Sequence, residues 1–547
     1  SAHAEVRVGS KRWAIATSIS TQHYGPLRQG SNGPQDYLKG YHVRQIDSSD
    51  AVIQQEDPLL QIPSGYDQYN LLQKVRFRPS EEWDLQYGFH YSETSSYGRY
   101  DRHNRIRNGG PRYGQWDYGP QIWSMHHLEA QHRSPGNLYD QMTLRLARQR
   151  FEESRIDRSF GSRQQRNRIE EVLAHSLNLD FTKRLGRHEL TYGLEGVHNR
   201  VRSEAFREEI FTGSRQAIGN RYPQAEWASV AAYLVDHYRI SERWSLQAGL
   251  RYNHFDIQAR FDTAFYDLPF DRASLSNGAL TGHLGIIHRP SKNTVLKAQF
   301  STAFRAPNVD DIGKVFDSEP GSVVVPNPDL QAEYAYNGEL SWTQIFGDDL
   351  RIDLTGYYTL LESALVRRNS RLGGRDTILF DGVPSQVQSL QNAARARVYG
   401  VQLGAEVKLP ARWSLSLDAN YQDGANIEDD RETPIRHVAP VFGRLSLQYQ
   451  SSRDLRWLLY ARFQGERSSG DMPLSERDKV EIYARDTQGR TYAPAWYTLN
   501  LKMQYQLSER WSFTAGLENL TDQRYRPYSS GLSGAGRNFN LAVRMEF

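Results

Sequence analysis

The chain has 547 residues, enough for three or four average domains, but only 38% are apolar, mean hydropathy is −0.71, and no segment nears the ~18 consecutive apolar residues of a membrane helix. Aromatics reach 12%, against the pattern of disordered chains, and a formal net charge of +3 offers no global field for nucleic acid. A helical membrane protein and a disordered chain are excluded, and a large soluble α/β enzyme is disfavoured.

From the first residues, apolar and polar positions alternate. Such segments begin near Ala2, Arg12, Gln68, Glu82, Pro120 and Leu138, then near Glu170, Arg187, Trp227, Trp244, Leu280, Asn293, Glu333 and Asp349. The last begin near Ala394, Trp413, Val441, Leu455, Ala495, Trp511 and Phe539. Tyr399, Val401, Leu403, Ala405 and Val407, for example, interleave with Gly400, Gln402, Gly404, Glu406 and Lys408. Successive strand side chains point to opposite faces, so each segment has one apolar and one polar face. About twenty-one strands exceed the ~10 that an open sheet tolerates and fall within the ~8 to ~26 of outer-membrane barrels.

Connections alternate in length. Gly9-Ser10-Lys11, Ser241-Glu242-Arg243, Pro410-Ala411-Arg412 and Ser508-Glu509-Arg510 are tight, while long excursions cover roughly 25–67, 95–119, 203–226, 257–277, 305–331, 362–392 and 465–494. That is the habit of barrels with short periplasmic turns and long outer loops. Six of the eleven tryptophans, Trp13, Trp83, Trp244, Trp413, Trp457 and Trp511, stand just past charged turns. Headgroup depth suits a ring with an apolar body and a polar N–H, so these six read as an aromatic girdle. The chain closes on an alternating apolar face, Phe539, Leu541, Val543, Met545 and Phe547, expected to be a last strand and assembly signal at the membrane boundary. Single-chain barrels have even strand numbers. The odd count, with a first segment abrupt at Ser1, predicts a 22-strand barrel whose first strand lies upstream. Ser1–Glu5 does not read as a signal peptide, so one was removed or the sequence starts part-way through a longer one.

Two blocks resemble a known family. Gly516-Leu517-Glu518-Asn519-Leu520-Thr521-Asp522-Gln523-Arg524-Tyr525, with Phe539 to Phe547, resembles the end of TonB-dependent outer-membrane receptors. Phe304-Arg305-Ala306-Pro307-Asn308 with Asn327-Pro328-Asp329-Leu330 resembles the paired motifs of their haem- and siderophore-receptor branches. Gly30–Pro34 and Asp317–Gly321 look like receptors from the Bacteroidetes side of the family. The resemblance covers the whole chain as the barrel portion. It implies a 22-stranded barrel around an N-terminal plug, importing a scarce large solute with energy passed through TonB. No plug and no TonB box can be read here, so the plug was removed, lies outside this sequence, or comes as another chain.

Candidate ligand contacts follow from residue chemistry. Arg99, Arg102, Arg105, Arg107 and Arg112 interleave with Tyr97, Tyr100 and Tyr113, and Arg367, Arg368, Arg371 and Arg375 form a second cluster. Guanidinium forks among aromatics suit an anionic, ring-bearing ligand such as a ferric chelate. Basic residues are 57 Arg against 10 Lys, so composition bias is the bland alternative. Haem needs an axial donor. The 305–329 interval holds neither His nor Tyr, which leaves His23, His42, His103 and His437 in other loops. Asp310, Asp311, Asp317, Glu319 and Asp329 offer oxygen ligands for calcium without matching a known loop template. His126 and His127 are adjacent in one strand and should face opposite sides. Cysteine is absent, and no GxSxG, HExxH or phosphate-binding loop appears, so neither an enzyme nor a resident cofactor is expected.

The fold expectation is an all-β transmembrane antiparallel barrel over 1–547. The functional expectation is uptake of a ferric chelate, siderophore or haem, with the TonB complex and outer-membrane lipid as partners. The rival is a passive porin or a structural barrel within a larger envelope complex. A third arrangement pairs the receptor with a surface lipoprotein.

Overall fold

Twenty-one strands follow one another as a single antiparallel meander in the computed structural model, which describes residues 1–265, 270–313, 321–327, 329–380, 383–428 and 431–547. They are β1 (Ala2–Gly9), β2 (Trp13–Tyr24), β3 (Tyr66–Phe77), β4 (Trp83–Thr94), β5 (Tyr113–Arg133), β6 (Gln141–Ser159) and β7 (Gln164–Leu185). Next come β8 (His188–Glu209), β9 (Gln224–Arg239), β10 (Trp244–Arg260), β11 (Arg272–Ser291), β12 (Thr294–Arg305), β13 (Glu333–Phe346) and β14 (Leu350–Asn369). The last are β15 (Val383–Leu409), β16 (Trp413–Glu428), β17 (Phe442–Gln450), β18 (Leu455–Gln464), β19 (Trp496–Gln506), β20 (Trp511–Glu518) and β21 (Asn538–Met545). Each pairs with its chain neighbours, the β-meander expected of an outer-membrane barrel.

Every second connection is short: 10–12, 78–82, 134–140, 186–187, 240–243, 292–293, 347–349, 410–412, 451–454 and 507–510. The others lie on the outer side. Several are shorter than the sequence predicts, because strands run on past the bilayer. Residues 203–209, 272–277, 362–369 and 383–392 belong to β8, β11, β14 and β15, and β15 alone has 27 residues where ~9–11 suffice to span.

Beyond the lipid, the alternation reverses phase. On β10, Trp244, Leu250 and Tyr252 face outward at 38%, 64% and 53% exposure, while Ser245 and Asn253 are buried on the lumen side. Past Tyr252 the outward positions become His254, Gln258 and Arg260, and the inward ones Phe255, Ile257 and Ala259, all buried. Below this point lipid is the apolar partner. Above it the outside is water, so apolar side chains must find cover within. They find it against residues 306–332, whose one-turn helix Val309–Gly313 and Leu330 complete a core with Phe261, Ala273 and Leu275.

The six tryptophans stand at or near the short-turn ends of their strands. Trp13, Trp83, Trp244, Trp413 and Trp511 each open an upward strand, and Trp457 is third in its own. Four stack on a cross-strand neighbour: Trp13 on Phe77 at 4.2 Å, Trp83 on His132 at 4.4 Å, Trp244 on His288 at 3.8 Å and Trp413 on Tyr449 at 4.4 Å. Each pair adds about 1 kcal/mol beyond burial. Trp244→Ala and Trp511→Ala are expected to slow membrane assembly several-fold; unchanged heat-modifiable mobility and unchanged assembly rate in both would count against the girdle. Phe539, Leu541 and Val543 face outward along β21 at 64%, 59% and 52% exposure, and Phe547 is fully exposed.

β1 and β21 both run from the outer side toward the short turns. An odd number of antiparallel strands leaves the first and last running the same way, so antiparallel pairing cannot join them. Among the described residues no strand pairing links these two edges. Outer loops bridge the seam instead.

Candidate functional site

Loops 25–65, 95–112, 465–495 and 519–537 tie the seam side of the mouth. Asn32 N donates to Asp522 O at 3.0 Å, Arg524 N to Asn32 O at 2.6 Å and Gly536 N to Arg28 O at 2.9 Å. The approach is close enough that a Cβ at Gly30 would lie 2.3 Å from Gln523 O. Gln61, fully buried, donates to Ser533 O at 3.0 Å and accepts from Ser533 N at 2.8 Å. Arg526 lies 4.2 Å over the Tyr37 ring and donates to the Glu481 and Ile482 carbonyls at 2.7 and 2.9 Å. Lys39 Nζ donates to His103 O at 2.7 Å, and burial pulls its ammonium down to about 8. Burial pushes the Tyr37 phenol up to about 12, against the pull of Arg526.

Beside this knot, the inner wall carries an aromatic ladder. A register shift between Tyr118 and Gln121 lets Tyr118 pair with Arg155 and Gln121 with Glu153. Arg155 and Glu153 stand an odd number of residues from the outward Leu146, so all four face the lumen. Tyr24 and Tyr66 likewise lie opposite in phase to the outward Trp13–Phe77 pair. Ring centroids step 4.8 Å from Tyr24 to Tyr66, 5.7 Å to Tyr97, 5.9 Å to Tyr118, and 5.1 Å from there to Trp116. Arg99 spans the top, 5.2 Å over Trp116 and 5.7 Å over Tyr118, donating to Tyr118 Oη at 3.0 Å and Asp101 at 2.8 Å. Arg155 approaches Tyr118 at 5.3 Å and donates to Glu153 at 3.0 Å. The surface offers ring faces for stacking and two guanidinium groups for an anion.

A family model described as TonB dependent receptor-like, beta-barrel matches residues 12–520. The chain belongs to that family. The receptor is 25% identical over 316 residues to Hemoglobin-haptoglobin utilization protein B of Neisseria meningitidis, covering 54% of this chain and 38% of that protein. It is 22% identical over 403 residues to Heme/hemopexin utilization protein C of Haemophilus influenzae, covering 69% and 51%. The chain thus spans about half or less of the length of these relatives. Among solved structures, Copper transporter OprC superposes with a TM-score of 0.74 at 14% identity over 99% of this chain and 77% of that one. The ferric yersiniabactin uptake receptor FyuA from Yersinia pestis gives 0.66 at 15% over 100% and 77%. These two likenesses concern the fold alone. The receptor is an outer-membrane barrel of a Gram-negative bacterium, of a transporter family and not an enzyme.

The two motif halves of the receptor fasten the root of loop 306–332. Arg305 pairs across the strands with Glu333 at 2.8 Å and grips both oxygens of Asp311 at 2.9 and 2.6 Å. Phe304 lies 6.2 Å from Phe255, Ala306 packs on the same core, and Pro307 and Leu330 are fully buried. Asn327 Nδ2 donates to Leu390 O at 2.8 Å and Asn327 Oδ1 accepts from Asp329 N at 3.0 Å; Pro328 lies outside the described residues. Among the described residues no three metal-binding side chains cluster. Asp311 is held by Arg305, Asp310 is also partnered, and Asp317 and Glu319 lie outside the described residues.

The predicted arginine–tyrosine loop divides. Tyr97 and Arg99 join the ladder, and Arg102 sits 5.8 Å over Trp116, its guanidinium lowered by burial. Tyr100 and Tyr113 are buried beneath at 3% and 8% exposure, and Arg105 is bound to Glu481 at 2.8 Å. Arg107 lies in the exposed hairpin Ile106–Arg107 and Gly110–Pro111. Arg367 and Arg368 end β14, nine strands away from β5, and Arg371 pairs with Asp376 at 2.6 Å, so the two clusters do not meet. Of the histidines, His23 pairs with Asp67 at 2.6 Å on the outer face, and His103 Nε2 is enclosed by Trp116 N and O, both at 3.1 Å. His42 and His437 are both lowered by burial, and His42 Nδ1 is buried without a partner among the described residues. His126 and His127 do face opposite ways, His126 outward against Tyr87 Oη at 2.9 Å. Sequence reasoning missed Tyr24, Tyr66, Trp116, Tyr118 and Arg155.

Proposed function

We propose that the receptor imports an anionic, ring-bearing iron chelate of the siderophore or haem class, gripped at the aromatic ladder. The observation that carries this is the inward run Tyr24–Tyr66–Tyr97–Tyr118–Trp116 topped by Arg99 and flanked by Arg155. Stacked phenols and an indole match a planar aromatic ligand, and the guanidinium groups match its carboxylate, phenolate or propionate oxygens. The names of two relatives, which concern haem and haemoglobin, support the same class. The seam between β1 and β21 fits one antiparallel strand running outward, and a plug on the short-turn side is the part through which TonB acts. A surface lipoprotein partner fits the same reading and is tested by co-purification.

The test is growth of a deletion strain carrying wild-type or Arg99→Ala receptor on ferric catecholate, ferric hydroxamate or haem as sole iron source. Arg99→Ala is expected to weaken binding of the ring-bearing source about tenfold. Equal growth on every source would sink the assignment of the site. A large constitutive current through the full-length protein in planar bilayers would instead favour a passive porin.

A further inference from the structure

Just beneath the aromatic ladder, one buried carboxylate is left without a partner. Register aligns Tyr118, Arg155 and Arg168 in one row across β5–β7, and Gln121, Glu153, Glu170 and Ser203 in the next row toward the bilayer, across β5–β8. Arg168 and Glu170 stand an odd number of residues from the outward Leu177, so both face the lumen. Like charges are therefore directly opposite twice, Arg155 facing Arg168 and Glu153 facing Glu170, which costs stability unless each finds an opposite partner. Three of the four do. Arg155 donates to Glu153 at 3.0 Å, Gln121 adds a second donor to Glu153 at 2.9 Å, and Arg168 donates to Asp157 at 3.0 Å. Glu170 does not: it is 8% exposed, and neither carboxylate oxygen has a hydrogen-bond partner among the described residues.

The segment after β8 covers this row. Tyr222 N donates to Ser203 Oγ at 3.3 Å and Gln224 Nε2 to Ser203 O at 2.7 Å. The Arg221 guanidinium pulls on Glu170 more strongly than any other charge but makes no ion pair with it, and its Nε is buried without a partner among the described residues. The lipid boundary at Tyr252 meets β7 at Leu179, so Glu170 lies nine residues beyond it. Burial raises its carboxyl to about 6, with Glu153 adding to the rise and Arg221, Arg155 and Arg168 opposing it. From β8 it is faced by the Ser203 hydroxyl, and Tyr222 stays neutral, its phenol pushed up to about 12 by burial. Three arginines repel a bare cation here, and two glutamates repel a bare anion. A carboxylic acid meets both demands, because two carboxylates can share one proton while the charge that remains lies between guanidinium groups.

We propose that Glu170, Arg155 and Arg221 form a subsite for a carboxylic-acid arm of the chelate, which enters beside Arg155 with its ring on the ladder. The ligand carboxylate and Glu170 share one proton, taken up from solvent on binding, and the remaining negative charge lies between Arg155 and Arg221. The inference rests on the ladder as the ligand site. Below about pH 6 Glu170 already carries the proton; above it the proton has to be taken up, so affinity for a carboxylate falls as pH rises, up to about tenfold per unit.

Binding of ferric protocatechuate and of the ferric complex of its carboxamide to the full-length receptor, read by tryptophan fluorescence quenching, tests this. The two probes differ only in carboxylate against carboxamide, so their affinity ratio cancels what pH does to the shared iron–catecholate core. The carboxylate is expected to be preferred about tenfold or more at about pH 5.5, and that preference to shrink about tenfold by about pH 7.5. Glu170→Gln, which mimics the protonated acid, should keep the preference at both pH values, and Arg221→Gln should abolish it at both. Heat-modifiable mobility checks that both variants are folded. Equal affinities for the two probes in the wild type at the lower pH, a preference that does not change with pH, a pH dependence that survives Glu170→Gln, or a preference that survives Arg221→Gln overturns the subsite and leaves the ladder reading standing. Failure of both probes to bind the wild type overturns the ladder reading, and the subsite with it.

Discussion

Glu476→Ala is expected to open the loop knot over the seam while leaving the barrel folded. Its carboxylate is fully buried and accepts from four side chains on three loops: Arg436 at 2.9 Å, Lys479 at 2.6 Å, Tyr483 Oη at 2.6 Å and Ser529 Oγ at 3.2 Å. Burial alone would raise this carboxyl; donation from Lys479 and Tyr483 and the charges of Lys479 and Arg436 outweigh it and hold it at about 2. Removing the acceptor leaves the buried Tyr483 hydroxyl with Ser529 Oγ alone, at 3.0 Å, and leaves two cations without their counter-charge. With charged hydrogen bonds worth about 1.5–3 kcal/mol each and the freed Arg436 able to reach water, the net loss is about 3 kcal/mol. The population with 465–495 open should rise about 100-fold, read as proteolytic cleavage within that loop on intact cells. The pH dependence follows the lowered pKa. The stabilisation is complete above the ordinary carboxylate range near ~4.3 and fades as pH falls toward 2, as protonation enters. Loop protection that is unchanged in the variant, or that is lost on raising the pH instead, would place the lock elsewhere.

How much of this was legible in advance depends on depth. Strands entered from the short turns were readable to within a residue, as at Trp83, Trp244, Trp413, Leu455 and Trp511, except β6, which begins at Gln141 rather than Leu138; a charged turn followed by a Trp is a local signal. Strands entered from outside were read unevenly: β1, β13, β17, β19 and β21 begin within a residue of the expected start, and others well away from it. β5 begins at Tyr113 rather than Pro120, β11 at Arg272 rather than Leu280, and β15 at Val383 rather than Ala394. Above the bilayer both faces lose lipid, and the apolar positions swap sides, as at Phe255 and Ile257. A pattern that changes phase mid-strand reads as a loop.

The site was legible only in part for a related reason. Tyr97 and Arg99 are neighbours in sequence and could be singled out. Tyr24, Tyr66 and Tyr118 come from the outer ends of three strands and meet only through register, the last through a shift between Tyr118 and Gln121. The motif residues carried a true family signal, yet Arg305, Asp311 and Glu333 are spent on each other. A basic loop residue is as apt to fasten a loop, as Arg105 and Arg526 do, as to meet a ligand.

Phe255→Ala should release the helix Val309–Gly313 from the inner wall. Phe255 is fully buried, faces Phe304, and joins the faces of β9–β11 to Val309, Ile312 and Leu330. Truncating a buried Phe costs about 3–5 kcal/mol, and here the loss falls on the helix Val309–Gly313, whose other anchorage is the Arg305–Asp311–Glu333 cluster, while Ser322–Val324 pairs separately with β15. The chain has no cysteine, so a single Ile312→Cys substitution reports opening without background. Ile312 is 1% exposed, so labelling by a membrane-impermeant maleimide should be slow in the parent and at least 100-fold faster with Phe255→Ala. Leu250→Ala, five residues down the same strand and 64% exposed toward lipid, should leave that rate unchanged. Equal labelling with and without Phe255 would mean that the salt bridges and the pairing of Ser322–Val324 with β15 hold Ile312 in place, and that the inward Phe255 does not fasten this helix.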